Sequence, residues 1–212
     1  MNDIEQGGFP YDLLAADAGH SRRRIVSGAL ATAVFAMVPM SGWAQAAPAE
    51  LPRTPHCDDD DAPTIATTEG PFFRPRSPMR RHLSGSELPG RPILIGGFVL
   101  DTRCGPLRNV LVDAWQANDD GEYDQRGFQL RGHQWTDDEG RWWFSTIVPA
   151  PYGPRTRHIH FKLQQRGGAV LTTQLFFPDE PLNQSDYQYD DKLLLTVSRD
   201  SDRLFGRFDF VL

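Results

Sequence analysis

From residue 92 onward the chain is cut into short apolar or alternating runs by turn residues, and this punctuation constrains the fold more than any other feature. The runs cover residues 93–100, 109–116, 141–147, 157–165, 170–177, 192–198 and 204–211. Between them fall turn clusters such as Cys104-Gly105-Pro106, Asn118-Asp119-Asp120-Gly121, Asp137-Asp138-Glu139-Gly140 and Arg166-Gly167-Gly168. No window shows a convincing helical period, and runs this short bury one face each. Seven or more strands at this spacing predict an all-β, antiparallel β-sandwich over residues 92–212, with functional groups on loops and strand ends at one rim.

The residues before 92 are of another kind. Residues 47–91 carry Pro48, Pro52, Pro55, Pro63, Pro71, Pro75, Pro78 and Pro89, which disfavour helix throughout and predict an extended arm. Such an arm wraps over its own domain or over a neighbouring subunit, so a homo-oligomer stays open. It also brings Gly70 and Pro71 toward the pocket. Residues 1–46 read as a targeting segment: Ser21-Arg22-Arg23-Arg24-Ile25-Val26 has the form of a twin-arginine signal. An apolar run over residues 25–40 follows, then the small-residue cleavage pattern Ala44-Gln45-Ala46. The run is shorter than the roughly 18–20 apolar residues a membrane span needs. The expected destination is the periplasm or beyond, with the membrane met only in transit. Cleavage and an uncleaved anchor are both left open.

Charge narrows the partners. The formal net charge is −6 and the pI is near 5.5, with no basic stripe, which argues against nucleic acid. The acidic run at residues 58–61 lacks the alternating spacing of a calcium loop and reads as a solvated tail. Two cysteines, Cys57 and Cys104, would sit in an oxidising compartment; one disulfide between them and two free thiols both remain open.

The chemistry is concentrated in Arg155-Thr156-Arg157-His158-Ile159-His160-Phe161. On a strand, residues two apart share a face, so His158 and His160 stand side by side while Ile159, Phe161 and Leu163 point into the core. Tyr152 lies just upstream and Tyr123 follows the turn at Gly121. Imidazole alone suits zinc, copper, iron or nickel. A phenol near pKa 10 binds as an anion at neutral pH only to a strongly acidic ion, so two histidines with two tyrosines point to non-haem Fe(III). Two other readings of the same residues stand beside it. One is a 2-His-1-carboxylate site using Asp113 or Glu122. The other is a binding module for carbohydrate or protein in which the histidine pair is incidental.

In these residues and their order, the chain resembles the intradiol ring-cleavage dioxygenases, the family of protocatechuate 3,4-dioxygenase and catechol 1,2-dioxygenase. The resemblance runs through Thr68-Glu69-Gly70-Pro71-Phe72-Phe73, Gly97-Phe98-Val99-Leu100-Asp101, Val112-Asp113-Ala114-Trp115-Gln116-Ala117-Asn118 and Gly121-Glu122-Tyr123. It continues through Arg131-Gly132, Thr146-Ile147-Val148-Pro149, Tyr152, Arg155, His158, His160 and Thr173-Gln174-Leu175-Phe176-Phe177. It implies that Tyr123, Tyr152, His158 and His160 ligate ferric iron, and that Tyr152 is the ligand that leaves when substrate arrives. Arg155 corresponds to the family's active-site arginine and Gln174 to a pocket glutamine. The implied reaction uses O2 to cleave a catechol-type diol between its hydroxyl-bearing carbons, giving a muconate-type diacid.

Two features depart from the better-known members. Only residues 153–157 separate Tyr152 from the histidines, which hints at a wider mouth, and no long helical segment precedes the domain. Substrate identity therefore stays open among protocatechuate, catechol, hydroxyquinol and larger or chlorinated diols. For the remaining polar and aromatic residues, Arg157 is expected to point away from the metal and His133 to sit solvated in a polar loop. Trp142, Trp143, Phe144, Phe176 and Phe177 are expected in the core.

Overall fold

A computed structural model describes residues 62–85, 87–200 and 203–212. The twin-arginine segment, Cys57 and the acidic run at 58–61 lie outside these residues. The described strands are β1 (Pro92–Leu100), β2 (Leu111–Gln116), β3 (Arg131–Trp135), β4 (Arg141–Ile147), β5 (His158–Gln164), β6 (Val170–Phe176), β7 (Thr196–Asp200), β8 (Arg203–Arg207) and β9 (Phe210–Val211). One sheet runs β4-β1-β8-β7 with β9 also beside β1, and the other runs β3-β2-β5-β6. No described helix is long and apolar enough to cross a membrane.

The two sheets meet through the alternation of their strands. Ile93, Ile95 and Val99 of β1, Trp142 and Phe144 of β4, Val112 and Ala114 of β2, and Ile159, Phe161 and Leu163 of β5 form one buried cluster. Each large apolar side chain so buried contributes roughly 1.5–3 kcal/mol. Phe176 and Phe177 join this core, whereas Trp143 is buried outside it, with the Arg81 guanidinium 5.3 Å from its ring centroid.

The strand reading needs correction in four places. Strand β3 is read as loop from its sequence, because Arg131-Gly132-His133-Gln134-Trp135 carries no apolar alternation; it pairs with β2 nonetheless. Its residue His133 is accordingly half-buried in a strand, with Nδ1 3.1 Å from Ser77 Oγ. The run expected at 192–198 opens instead as a 3-10 turn, Asp191–Leu193, whose N-cap Asp190 accepts from the Lys192 amide. The run at 204–211 breaks into β8 and β9. Finally, the first sheet is mixed, since β8 and β9 both run parallel to β1.

The break between β8 and β9 has a local cause. Phe208 N donates to Gly96 O at 3.1 Å, and the Asp209 carboxylate accepts from the Phe98 amide at 3.1 Å, taking the place of a ladder carbonyl. The backbone of Phe208 thereby crowds Gly97: a Cβ at that position would lie 1.9 Å from Phe208 O.

The arm adds no strand but crosses the outer face of the β3-β2-β5-β6 sheet from edge to edge. After Thr64, which bonds Val211 of β9, it passes the β6 side, where Thr67 N donates to Thr172 O and Thr173 Oγ1 to Ile65 O, both at 2.8 Å. On the β3 side Arg80 N donates to His133 O and His133 N to Pro78 O, both at 3.0 Å. It ends on the opposite sheet, Leu83 N donating to Ser145 O at 2.8 Å. Cys104, packed with Leu100 and Val211, is buried and disulfide-bonded; the chain contains two cysteines.

Replacing Gly97 by Ala must displace backbone, so Gly97→Ala is expected to destabilise the protein by on the order of 1–3 kcal/mol. The check is thermal unfolding followed by circular dichroism; an unchanged midpoint would show that the β8–β9 break relaxes freely.

Candidate metal centre

Strand β5 begins where β2 ends, and both turn the same face outward under the arm. In register, Trp115 of β2 and Gln174 of β6 flank His160 on its two sides. The Trp115 indole stacks on the His160 ring, with centroids 4.8 Å apart and planes 6° from parallel. Gly70 of the arm lies over the same imidazole; a Cβ there would be 3.4 Å from His160 Cε1, and its φ of +71° favours glycine.

Three donor atoms converge. Tyr123 Oη lies 3.2 Å from His158 Nε2, which lies 3.2 Å from His160 Nε2. His158 Nδ1 is 2.6 Å from the Thr156 carbonyl, an acceptor, so Nδ1 carries the proton and the Nε2 lone pair faces the cluster. An outer carbonyl fixing a ring in this way is the usual support of a metal-bound histidine. Tyr152 packs edge-on to Tyr123, with centroids 5.7 Å apart, and is 38 % exposed where Tyr123 is 7 %. The four residues singled out in the sequence are therefore neighbours. They meet where β2 ends and β5 begins, with Tyr123 and Tyr152 in the loops beside that end of the sheet and the arm lying over them.

The surroundings are dry and aromatic. Phe72 stacks on Tyr123 at 4.4 Å and 9°, and meets Tyr152 edge-on at 5.1 Å. Phe73 packs on Trp115. Burial pushes the His158 imidazole down to about 4 and holds His160 well below its ordinary range, with the neighbouring imidazole and Arg155 adding to the effect at His160. Burial likewise pushes the Tyr123 phenol up, against the pull of Arg155 and Arg131. Without a metal the site thus holds neutral imidazoles and a neutral phenol.

Arg155 and Gln174 lie beside the cluster, each already engaged. Tyr152 and Arg155 pair across a tight turn through Gly153 and Pro154, Arg155 N donating to Tyr152 O at 2.9 Å. The Arg155 guanidinium is buried rather than on the surface. Its Nε lies 2.9 Å from both oxygens of Asp186, and its Nη2 donates to Gln174 Oε1 at 2.5 Å. Gln174 Nε2 donates to Thr68 O and Gln188 Oε1. Arg157 points elsewhere, donating to Pro149 O and pairing with Glu180.

Sequence reasoning missed Asp186 and the role of Arg131. Arg131, only 2 % exposed, donates from Nη1 to Phe72 O at 2.6 Å and from Nη2 to Asp124 O at 2.9 Å, tying the arm to the loop behind Tyr123. Its motif Arg131-Gly132 was visible, but nothing local signalled a buried cation.

The donor set fits a hard, strongly acidic metal ion: two imidazole lone pairs and a phenol on one point, with a second phenol adjacent. Among the described residues no carboxylate or thiol completes a group of three with the histidines. Asp113 is instead bonded to Ser77, and Glu122 is exposed. Two surface grooves among the described residues, one beside Arg91 and Arg199 and one beside Trp135, are lined by other residues.

A β-sandwich with paired histidines and tyrosines under an aromatic roof defines a class that comparison makes definite. The family profile described as Dioxygenase matches residues 68–212, and the chain belongs to that family, the intradiol ring-cleavage dioxygenases. It is 35% identical over 150 residues to hydroxyquinol 1,2-dioxygenase of Rhizobium sp. (strain MTP-10005), covering 57% of this chain and 50% of that protein. It is 39% identical over 137 residues to the protocatechuate 3,4-dioxygenase beta chain of Burkholderia cepacia, covering 56% and 57%. The chain thus spans about half the length of these curated relatives. Among solved structures, the dioxygenase domain of a dioxygenase and carbohydrate-binding protein fusion from Streptomyces sp. SirexAA-E matches with a TM-score of 0.70 and 48% identity, over 71% of this chain and 98% of that one. The 3-chlorocatechol 1,2-dioxygenase of Rhodococcus opacus 1CP matches with a TM-score of 0.66 and 28% identity, over 70% and 72%.

A histidine whose folded pKa is depressed binds its proton more readily in the unfolded chain. Its contribution is complete above about 6.5 and is lost as pH falls toward the folded value near 4. The metal-free protein is therefore expected to lose thermal stability across this window, and a flat melting temperature would mean that the imidazoles titrate without restraint.

Proposed function

We propose that this protein is an intradiol dioxygenase that cleaves a catechol-type diol between its hydroxylated carbons with O2, at non-haem Fe(III) held by Tyr123, Tyr152, His158 and His160. The convergence of Tyr123 Oη and the two Nε2 atoms, with the His158 tautomer set by Thr156, carries this reading. Ferric iron bound there supplies the Lewis acidity that favours the doubly deprotonated diol and the electron acceptor that makes its ring reactive toward dioxygen.

The chain's own residues divide the remaining work. Tyr152 is the exposed phenol of the pair, so it is the ligand free to swing out, and its phenolate oxygen then accepts a proton from the incoming diol. Tyr123, stacked under Phe72, stays in place. Phe72, Phe73 and Trp115 exclude water and strengthen every charge interaction inside. Arg155 stabilises negative charge on the bound ring, and Gln174 holds the guanidinium at its Nη2. The substrate is a small ortho-diol of the kinds named for the relatives: hydroxyquinol, protocatechuate, catechol or chlorocatechol. Residues 1–46 direct the folded protein through the twin-arginine route to the periplasm or beyond.

Iron-loaded protein is expected to show visible tyrosinate charge-transfer absorption, to change colour with diols without oxygen, and to give a muconate-type diacid on aeration. Tyr123→Phe and Tyr152→Phe should each shift or abolish the absorption. They should lower turnover by more than the roughly 10–100-fold that losing an outer-shell partner costs. An unchanged spectrum in both variants removes the tyrosinate assignment. For export, replacing Arg22, Arg23 and Arg24 together by Lys should hold the protein in the cytoplasm; periplasmic recovery of that variant would exclude the twin-arginine route.

A further inference from the structure

The guanidinium of Arg155 has N–H groups on three nitrogens and no acceptor. Two of those nitrogens are fixed: Nε against Asp186 and Nη2 against Gln174. The third, Nη1, has no hydrogen-bond partner among the described residues, and the side chain keeps 10% of its exposure. Its Nη2 partner Gln174 is paired in register with His160, so the guanidinium lies beside the histidine pair.

Asp186 does more than pair with one arginine. Its side chain is wholly buried and accepts hydrogen bonds from more than one element. Oδ2 also accepts from the Thr156 amide at 2.8 Å, two residues before His158, and Oδ1 accepts from the Gln188 amide at 2.9 Å. Gln188 Oε1 in turn accepts from Gln174 Nε2 at 2.8 Å and from Thr68 Oγ1 of the arm at 2.7 Å. Residues 186–188 therefore join the turn carrying Arg155, the strand carrying Gln174 and the roof. A buried ion pair is weak as a stabilising device, because its desolvation offsets most of the attraction. What it supplies here is direction, since a guanidinium gripped at Nε and Nη2 has one remaining edge in one orientation.

We infer that Asp186 is a positioning residue for ring cleavage, holding Arg155 so that Nη1 is presented to the bound diol. This rests on the proposed reaction. It adds a residue to that reaction that neither the ligand set nor the sequence motifs contain.

The test uses full-length, iron-loaded protein and the variants Asp186→Asn, Arg155→Gln and the two combined. Asp186→Asn should keep its iron and resting absorption, bind diol anaerobically with little change, and lose kcat by about 10–100-fold, the scale of an outer-shell contact. Arg155→Gln should lose at least as much, and the double variant no more than Arg155→Gln alone, because Asp186 acts through Arg155. Multiplying losses in the double variant overturn the inference, as does wild-type kcat in Asp186→Asn. A folded Asp186→Asn that no longer holds iron overturns it too, by placing Asp186 with the ligands. If Asp186→Asn fails to fold, Asp186→Glu decides: lowered kcat at an unchanged melting temperature supports the role, and wild-type kcat removes it. Wild-type protein that neither binds nor cleaves any diol would sink the proposed reaction itself. Wild-type turnover beside an unaffected Asp186→Asn would sink only the positioning role.

Discussion

The register of β5 between β2 and β6 fixes the site. Its period of two leaves no freedom: with Ile159, Phe161 and Leu163 in the core, His158 and His160 must face outward. A slip of one residue would bury both imidazoles among apolar side chains and expose three core residues, each worth roughly 1.5–3 kcal/mol of burial. The geometry of the histidine pair is thus enforced by side chains that never touch it. The same register sets Trp115 and Gln174 on either side of His160, so the stacking partner and the polar neighbour come with the pairing.

An outward face would ordinarily be wet, and here the arm changes that. A proline-rich segment can neither coil into a helix nor form a full ladder. It therefore spans the sheet with scattered bonds at its two edges and lays Gly70, Phe72 and Phe73 between them. Burial of the imidazoles follows from this roof as much as from the strand. Lys162 pairs with Glu69 of the arm and lies 3.8 Å from the Phe73 ring centroid, so β5 itself helps to hold its cover down.

What was legible in the sequence follows the range of the interactions. Strands that are apolar throughout, such as β1, or rich in apolar residues, such as β4 and β5, show themselves within a few residues. Strand β3 does not, because its neighbours are the arm and β2, and its polar side chains answer to both. The parallel return of β8 and β9 beside β1 joins residues about a hundred positions apart and leaves no local mark. The same division runs through the site. His158, His160, Tyr123 and Tyr152 are conspicuous by donor chemistry, while Asp186 reaches Arg155 across 31 positions and Arg131 reaches Phe72 across 59. Partners at such distances are fixed by the fold, and only the fold displays them.

The two buried arginines near Tyr123 differ in how their charge is met. Arg155 has the Asp186 carboxylate in direct contact, so its charge is met by a buried anion. Arg131 has only the carbonyls of Phe72 and Asp124, and burial lowers its pKa although the Asp124 carboxylate and Tyr123 pull the other way. A cation bonded to carbonyls in a dry interior is costly to hold. Converting the Tyr123 phenol to the proposed phenolate would add a further anion to the Asp124 and Asp113 carboxylates that already act on Arg131. Arg131 thus favours the anionic form of Tyr123 that the proposed metal site requires. The same guanidinium holds the carbonyl of Phe72, whose ring stacks on Tyr123, so one buried arginine both acts on that phenol and ties down the roof above it.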